Sequence, residues 1–275
     1  MSSRLHQVAV VNEEIAERGT YRSPSGATVD VAARLAAARA GTVSYTPEQL
    51  TALLESAPPA AADRARVEVT AEGSMQAAER LHRAGARHIG VLNFASARNP
   101  GGGYLRGARA QEEDVCRTAL LYSCLLAAPD YYAAHRAGDD LRYSHRVIFS
   151  PDVPVIRDGR GELAAQPYEV GFLTSPAPNA GQLRRRSADV DVREVLAERA
   201  AMVLAVAARH GVRELVLGAW GCGVFANDPG EVAEAFELAL GRYGTAFDRV
   251  VFAVWDRTPV SPNRAAFEAR FGGRS

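Results

Sequence analysis

Two short stretches carry the residue types that could do chemistry. Gly101-Gly102-Gly103 follows an apolar, strand-like run, and Gln111-Glu112-Glu113 stands seven residues further on. Consecutive glycines let a backbone turn its N–H groups onto an anion at close range. The two glutamates place acid chemistry at the rim of that turn. A diphosphate cradle beside an acid points to an enzyme that cuts a nucleotide-linked bond. The glutamates also have a plainer use. Val115, Ala119, Tyr122 and Leu126 form a four-spaced apolar stripe, which predicts a helix over 111–127. The first turn of a helix favours acidic side chains by about 0.3–1 kcal/mol each. Neighbouring helical residues point roughly 100° apart, so the pair cannot flank one bond from opposite sides as two glycosidase carboxylates do. One glutamate would therefore transfer the proton while the other holds the substrate. The helix dipole lowers a carboxylate pKa, whereas a second carboxylate and a bound diphosphate raise it, and a general acid needs the latter to win.

A second glycine loop belongs with the first. The apolar run 214–220 leads into Gly221-Cys222-Gly223-Val224-Phe225, and a helix start follows near Pro229. Each loop sets glycines between a strand and a helix, the geometry for an anion at a helix amino terminus. Either loop alone could be no more than a tight turn, but two in one sheet suit the two groups of a diphosphate. Neither reads Gly-x-Gly-x-x-Gly, and neither is followed by Lys-Ser or Lys-Thr.

The elements that must position these loops follow from the periodicity. Residues 5–18, 28–40 and 46–55 read as helices, with Thr46-Pro47-Glu48 a start signal for the third. Ser56-Ala57-Pro58-Pro59 breaks that pattern, giving an amino-terminal helical extension over 1–64 packed on a core over 65–275. From Val67 onward, apolar runs at 67–70, 88–95, 147–150, 154–157, 169–174, 214–220 and 249–255 alternate with helical segments at 74–85, 111–127, 190–210, 229–242 and 262–270. This is an α/β fold, a mixed and largely parallel sheet with helices on both faces. Ligands in such sheets lie beyond the carboxyl ends of the strands.

Composition excludes several classes. The 275 residues carry 32 basic and 32 acidic side chains, so no global field draws the chain to nucleic acid or to an anionic membrane. All 32 basic residues are arginine. Without lysine there is no P-loop lysine, no Schiff base and no pyridoxal phosphate anchor. Cys116, Cys124 and Cys222 show no Cys-x-x-Cys spacing, which argues against structural zinc or a disulfide frame. The amino terminus does not read as a signal peptide, and no apolar run approaches the roughly 18 residues of a membrane span. A cytoplasmic protein is expected.

With these residues in view, the sequence resembles the bacterial-type poly(ADP-ribose) glycohydrolases, enzymes of the macrodomain fold. The resemblance rests on Gly101-Gly102-Gly103 paired with Gln111-Glu112-Glu113, on Leu92-Asn93-Phe94-Ala95-Ser96-Ala97, and on Leu217 to Phe225. It implies that Glu113 is the general acid/base, which protonates the leaving ribose oxygen and then activates water. Glu112 would orient the neighbouring ribose. Gly101, Gly102, Gly103 and Gln111 would meet the ligand from one side, and Gly221, Cys222, Gly223, Val224 and Phe225 from the other, with the Phe225 ring on the distal ribose. Asn99 is the candidate for the asparagine that fixes that ribose. No cofactor or metal is implied. The implied partners are poly(ADP-ribose), the proteins that carry it and the ADP-ribose product, handled by a monomer that reverses ADP-ribosylation, as after DNA damage.

Three functions compete at this level. The first is mainly exo hydrolysis of the polymer. The second is a macrodomain that reads ADP-ribose without cleaving it, which has no need for paired acids. The third is a cysteine hydrolase built on Cys222. Arg184-Arg185-Arg186 reads as a solvated charge run in a loop, with contact to a departing polyanion as the alternative. Trp220 and Trp255 read as core, Tyr104 as a neighbour of the ligand, and the segment 263–271 as a possible cap.

Overall fold

The computed structural model describes residues 4–56, 65–186, 191–258 and 260–273. The chain begins with α1 (Arg4–Arg18), β1 (Thr20–Arg22), β2 (Thr28–Asp30), α2 (Ala32–Ala40), β3 (Val43–Tyr45) and α3 (Pro47–Glu55). It continues through β4 (Arg66–Thr70), α4 (Ser74–Arg83), β5 (Ile89–Phe94), α5 (Gln111–Thr118), α6 (Leu121–Leu125) and α7 (Pro129–Arg136). Then come β6 (Val147–Arg157), β7 (Leu163–Ser175), α8 (Ala180–Arg185) and α9 (Arg193–Arg209). The last elements are β8 (Glu214–Leu217), α10 (Pro229–Tyr243), β9 (Arg249–Ala253) and α11 (Pro262–Phe271). Start signals hold where side chains supply them. Thr46 and Gln49 close a capping box on α3, and Asp228 and Ser261 cap α10 and α11 ahead of Pro229 and Pro262.

A seven-stranded sheet forms in the order β3-β6-β7-β5-β8-β9-β4. The strands from β7 to β4 are parallel, and β3 and β6 run antiparallel to their neighbours. Alternate residues of the central strands point to opposite faces, which divides the core in two. Val91, Val216 and Val251 pack with the helices α1, α2 and α4 to α6; Leu92, Leu215, Leu217, Val250 and Phe252 pack with α9 to α11. Because β7, β5, β8 and β9 are parallel neighbours, the loops leaving their carboxyl ends share one edge, and both glycine loops emerge there.

The structure departs from the periodicity at several points. The helix expected over 111–127 breaks after Thr118, where Ala119 is extended and bridges Val155. The apolar stripe then resumes in α6, but Leu126 lies half-exposed. The segment 28–40 opens as a strand, β2 in a hairpin with β1, before α2 starts at Ala32. The runs 147–150 and 154–157 are one strand, β6, with a register shift between Ser150 and Val153 where Asp152 takes φ 46°. Arg184 and Arg185 end a helix, α8, instead of lying in a loop. The amino-terminal segment also contributes β3, hydrogen-bonded to β6 as the edge of the sheet. The expected break at 57–59, the boundary between 64 and 65 and the helix start at 190 involve residues outside those described.

Candidate active site

Helix α5 is fastened to β5 by its first side chain. Gln111 Oε1 accepts from the Phe94 N–H at 2.8 Å, while its Nε2 donates to Leu92 O at 2.8 Å and Ser74 Oγ at 3.0 Å. Its amide is thus taken up by protein, although the residue borders the cavity. This staple turns the first helical turn toward the glycine loop. Glu112 and Glu113 are both buried, at 3% and 7% exposure.

Gly102 is the glycine that makes room for these carboxylates. Gly101 and Gly102 adopt φ +64° and +57°, closed by Gly102 N–H to Asn99 O at 3.0 Å and Tyr104 N–H to Gly101 O at 2.9 Å. A Cβ on Gly102 would lie 2.6 Å from Glu113 Oε1 and 3.1 Å from Glu112 Oε2. Gly103 N–H donates to Glu113 Oε1 at 2.7 Å. The Ser96 N–H donates to Glu112 Oε2 at 2.6 Å, and Asn93 Nδ2 to Glu112 Oε1 at 3.3 Å. Glu113 Oε2 is buried with no protein partner. Burial pushes Glu112 up to about 8, with a smaller push from Glu113, against the pull of the Ser96 and Asn93 donors. Glu112 therefore holds its proton at pH 7.

The second loop is built differently. Gly221 takes φ +72°, and a Cβ there would meet Ala177 Cβ at 2.4 Å and Asn227 Nδ2 at 2.5 Å. Buried Asn227 ties the loop by donating to Pro178 O at 2.8 Å and Gly221 O at 3.1 Å. Helix α8 holds its far end, through Gly181 N–H to Phe225 O at 2.8 Å and Arg184 Nη2 to Ala226 O at 2.7 Å. Among the described residues, the N–H groups of Gly223, Val224 and Phe225 have no hydrogen-bond partner within the protein. Val224 is 84% exposed, and the half-buried Phe225 ring stands 5.9 Å from that of Tyr143.

Tyr143 is held in turn by Arg199 of α9, which is completely buried. The Arg199 guanidinium donates to Pro176 O at 2.7 Å, Arg142 O at 2.9 Å and Tyr143 O at 3.0 Å. Burial lowers Arg199 to about 10, which leaves it charged at neutral pH.

One cavity of about 1200 Å³ brings the two loops together. Gly102, Gln111, Glu112 and Glu113 border it from one side, and Gly221, Gly223, Val224 and Phe225 from the other. Asn99 is exposed on the shoulder of the turn, outside this lining, where its carbonyl closes the bend. Gly101, Gly103 and Cys222 support the loops from behind the lining. The Cys222 thiol contacts Trp220 O at 3.8 Å, and burial raises it to about 12, so it is not a thiolate at neutral pH. Tyr104 turns inward, almost fully buried, and bonds to α1 instead of facing the cavity. Trp220 is core, its Nε1 donating to Ser175 O at 3.0 Å, but Trp255 is 59% exposed and lines the cavity.

Three contributors escape a reading of the sequence alone. Asn93 sits behind Glu112, also bonded to Thr174 Oγ1 at 3.2 Å, and an amide inside the apolar run 89–94 was its signal. Trp255 ends an apolar run but is followed by Asp256-Arg257, which marks the strand as finished. Arg199 shows only as one charge within an alanine-rich helix.

Comparisons with known proteins give the family of the chain. The family model for the microbial-type PARG catalytic domain matches residues 9–158. The crystal structure of poly(ADP-ribose) glycohydrolase from Thermomonospora curvata is 48% identical with a TM-score of 0.92, covering 97% of this chain and 99% of that one. The same enzyme bound to the inhibitor ADP-HPD gives a TM-score of 0.90 with the same identity and coverage. The Deinococcus radiodurans enzyme in complex with ADP-ribose is 44% identical, with a TM-score of 0.81 over 89% of this chain and 98% of that one. No curated protein matches the chain significantly. Family model, sequence identity and shared architecture converge: the chain belongs to the microbial-type poly(ADP-ribose) glycohydrolases, which are glycosidases.

Proposed function

We propose that this chain hydrolyses the ribose–ribose O-glycosidic bonds of poly(ADP-ribose), mainly from the free end, and releases ADP-ribose. The observation that carries the reading is Glu113. One of its oxygens is fixed by the Gly103 amide and the other is unpartnered, at a cavity whose opposite wall presents free backbone amides. The amides of Gly223 to Phe225 suit the diphosphate, and the Phe225 ring lies against the distal ribose. Glu113 then gives its proton to the leaving ribose oxygen as the C1–O bond breaks. The resulting oxocarbenium ion is attacked at C1 by water, whose proton returns to Glu113. Glu112, held by Ser96 and Asn93, orients the ribose beside the bond. The complexes of the Thermomonospora enzyme with ADP-HPD and the Deinococcus enzyme with ADP-ribose support ADP-ribose as the released unit.

The reading extends to polymer-bearing proteins as partners, a monomer as the working unit, and the cytoplasm as the place where ADP-ribosylation is reversed after DNA damage. Three free cysteines, two of them buried, suit a reducing compartment. The test is Glu113→Gln. Release of labelled ADP-ribose from polymer should fall about 10²–10⁴-fold while ADP-ribose still binds. Parallel loss of turnover and binding would reassign Glu113 to ligand binding. Time-resolved products that begin as monomer, not oligomer, establish the exo mode.

A further inference from the structure

Glu113 and Gly103 belong to different segments, so something must hold the turn against the helix. The parts meet along one turn of α1. Residues 12 and 13 stand three and four positions from residue 9, so each lies next to it on the helix surface. Asn12 is completely buried, and its Nδ2 donates to Arg117 O at 2.8 Å and Cys116 O at 3.3 Å. These are carbonyls of the last turn of α5, which have no partner within their own helix. Arg157 Nε donates to Asn12 Oδ1 at 3.0 Å and fixes the amide's orientation. Beside Asn12, the Tyr104 hydroxyl donates to Glu13 Oε1 at 3.1 Å and to Ala9 O, about one turn back, at 3.4 Å. His6 Nδ1 contacts Leu105 O at 2.7 Å. Tyr104 directly follows Gly103. The frame is closed by Arg117 of α5, whose Nη1 donates to Ala108 O at 2.8 Å in the same loop.

We propose that α1 is a strut of the reaction centre: Asn12 holds the end of α5 and Glu13 holds Tyr104, and together they fix the Glu113 carboxylate on the Gly103 amide. Asn12, Glu13 and Tyr104 are positioning residues, none of which touches substrate. Burial raises the Glu13 pKa, against the hydrogen bond from Tyr104 and the charge of Arg39, which both lower it. The inference rests on Glu113 as the proton-transfer group.

The experiment compares Asn12→Leu, Tyr104→Phe, Glu13→Ala and Glu13→Gln in the full chain, with Glu113→Gln alongside. Each is measured for kcat on polymer, for ADP-ribose affinity and for Tm. Misplacing a reacting group by about 1 Å costs on the order of 10²-fold. Asn12→Leu, Tyr104→Phe and Glu13→Ala should therefore lose about 10- to 100-fold in kcat, with ADP-ribose affinity within about threefold of wild type. Glu13→Gln keeps an acceptor for Tyr104 and should restore kcat to within about threefold. Tyr104→Phe keeps its ring beside Tyr122, 5.4 Å away, so it decides the matter if Asn12→Leu does not fold. Folded variants with wild-type kcat, or losses matching only the unfolded fraction, overturn the strut. A fall of kcat and affinity together, or failure of Glu13→Gln to rescue, overturns it as well. If Glu113→Gln itself remains active, it is the assignment of the acid that has failed.

Discussion

The two glycine loops share one grammar, a buried strand, glycines and a helix, yet they perform opposite tasks. In the loop after β5 the amides of Ser96 and Gly103 already end on carboxylates of the protein. In the loop after β8 the amides of Gly223 to Phe225 remain free while Asn227 and α8 fix the ends. The first loop is a holder for acids, and the second leaves its amides open to what enters the cavity. Glycine is needed at Gly102 so that carboxylates can approach the backbone, and at Gly221 so that the loop can turn past Ala177. A glycine count cannot distinguish these uses; the destination of each N–H does.

Four measurements would break or sharpen that contrast. Gly102→Ala drives a methyl group into Glu113 at a positive φ, so kcat should fall on the order of 10²-fold. Comparable damage from a substitution at Gly223 would erase the distinction. Next in size is a pH effect confined to the first loop. Glu112 is raised from 4.5 to about 8, so the folded state holds its proton where the unfolded state releases it. Its stabilising contribution is therefore complete below pH 4.5 and lost as pH rises through about 8. Glu112→Gln, measured by Tm, should gain on wild type across that window by on the order of 5 °C. A constant difference between pH 5 and 8 would count against the buried proton. Gly221→Ala forces a left-handed residue against Ala177 and Asn227, and chemical denaturation should register a loss of about 1–3 kcal/mol. Smallest is Gly223→Ala, where nothing lies within 4 Å of the new methyl and φ is not positive. Its stability should stay within about 0.5 kcal/mol of wild type.

Much of this arrangement can be read without coordinates, because long periodic segments declare themselves. The apolar runs that became β5, β8 and β9 and the helices α4, α9, α10 and α11 follow their patterns. The pairing of Gly101–Gly103 with Glu112 and Glu113 is equally visible. Illegible were elements too short for a period: β1 and β2, three residues each in one hairpin, and β3, whose partner β6 is distant in sequence. The break at Ala119 was hidden because its bridge to Val155 leaves the apolar spacing unchanged. At the site, composition could not say which way a side chain turns. Tyr104 follows the glycines but points at α1, Asn99 has the expected type but faces solvent, and buried Asn93 supplies the amide behind Glu112. Those orientations are decided by packing between segments, which no local pattern encodes.

The buried guanidinium of Arg199 has a consequence for how the enzyme responds to its medium. A lysine in its place could offer three donors instead of five and could shed its proton when desolvated. Arg199 keeps its charge, and so its grip on Pro176, Arg142 and Tyr143, through the pH at which Glu112 exchanges its proton. The histidines beside Arg199 are held down to about 4 by burial, and its own charge is lost only at about 10. Between those limits the scaffold behind Phe225 keeps one protonation state while Glu112 changes its own.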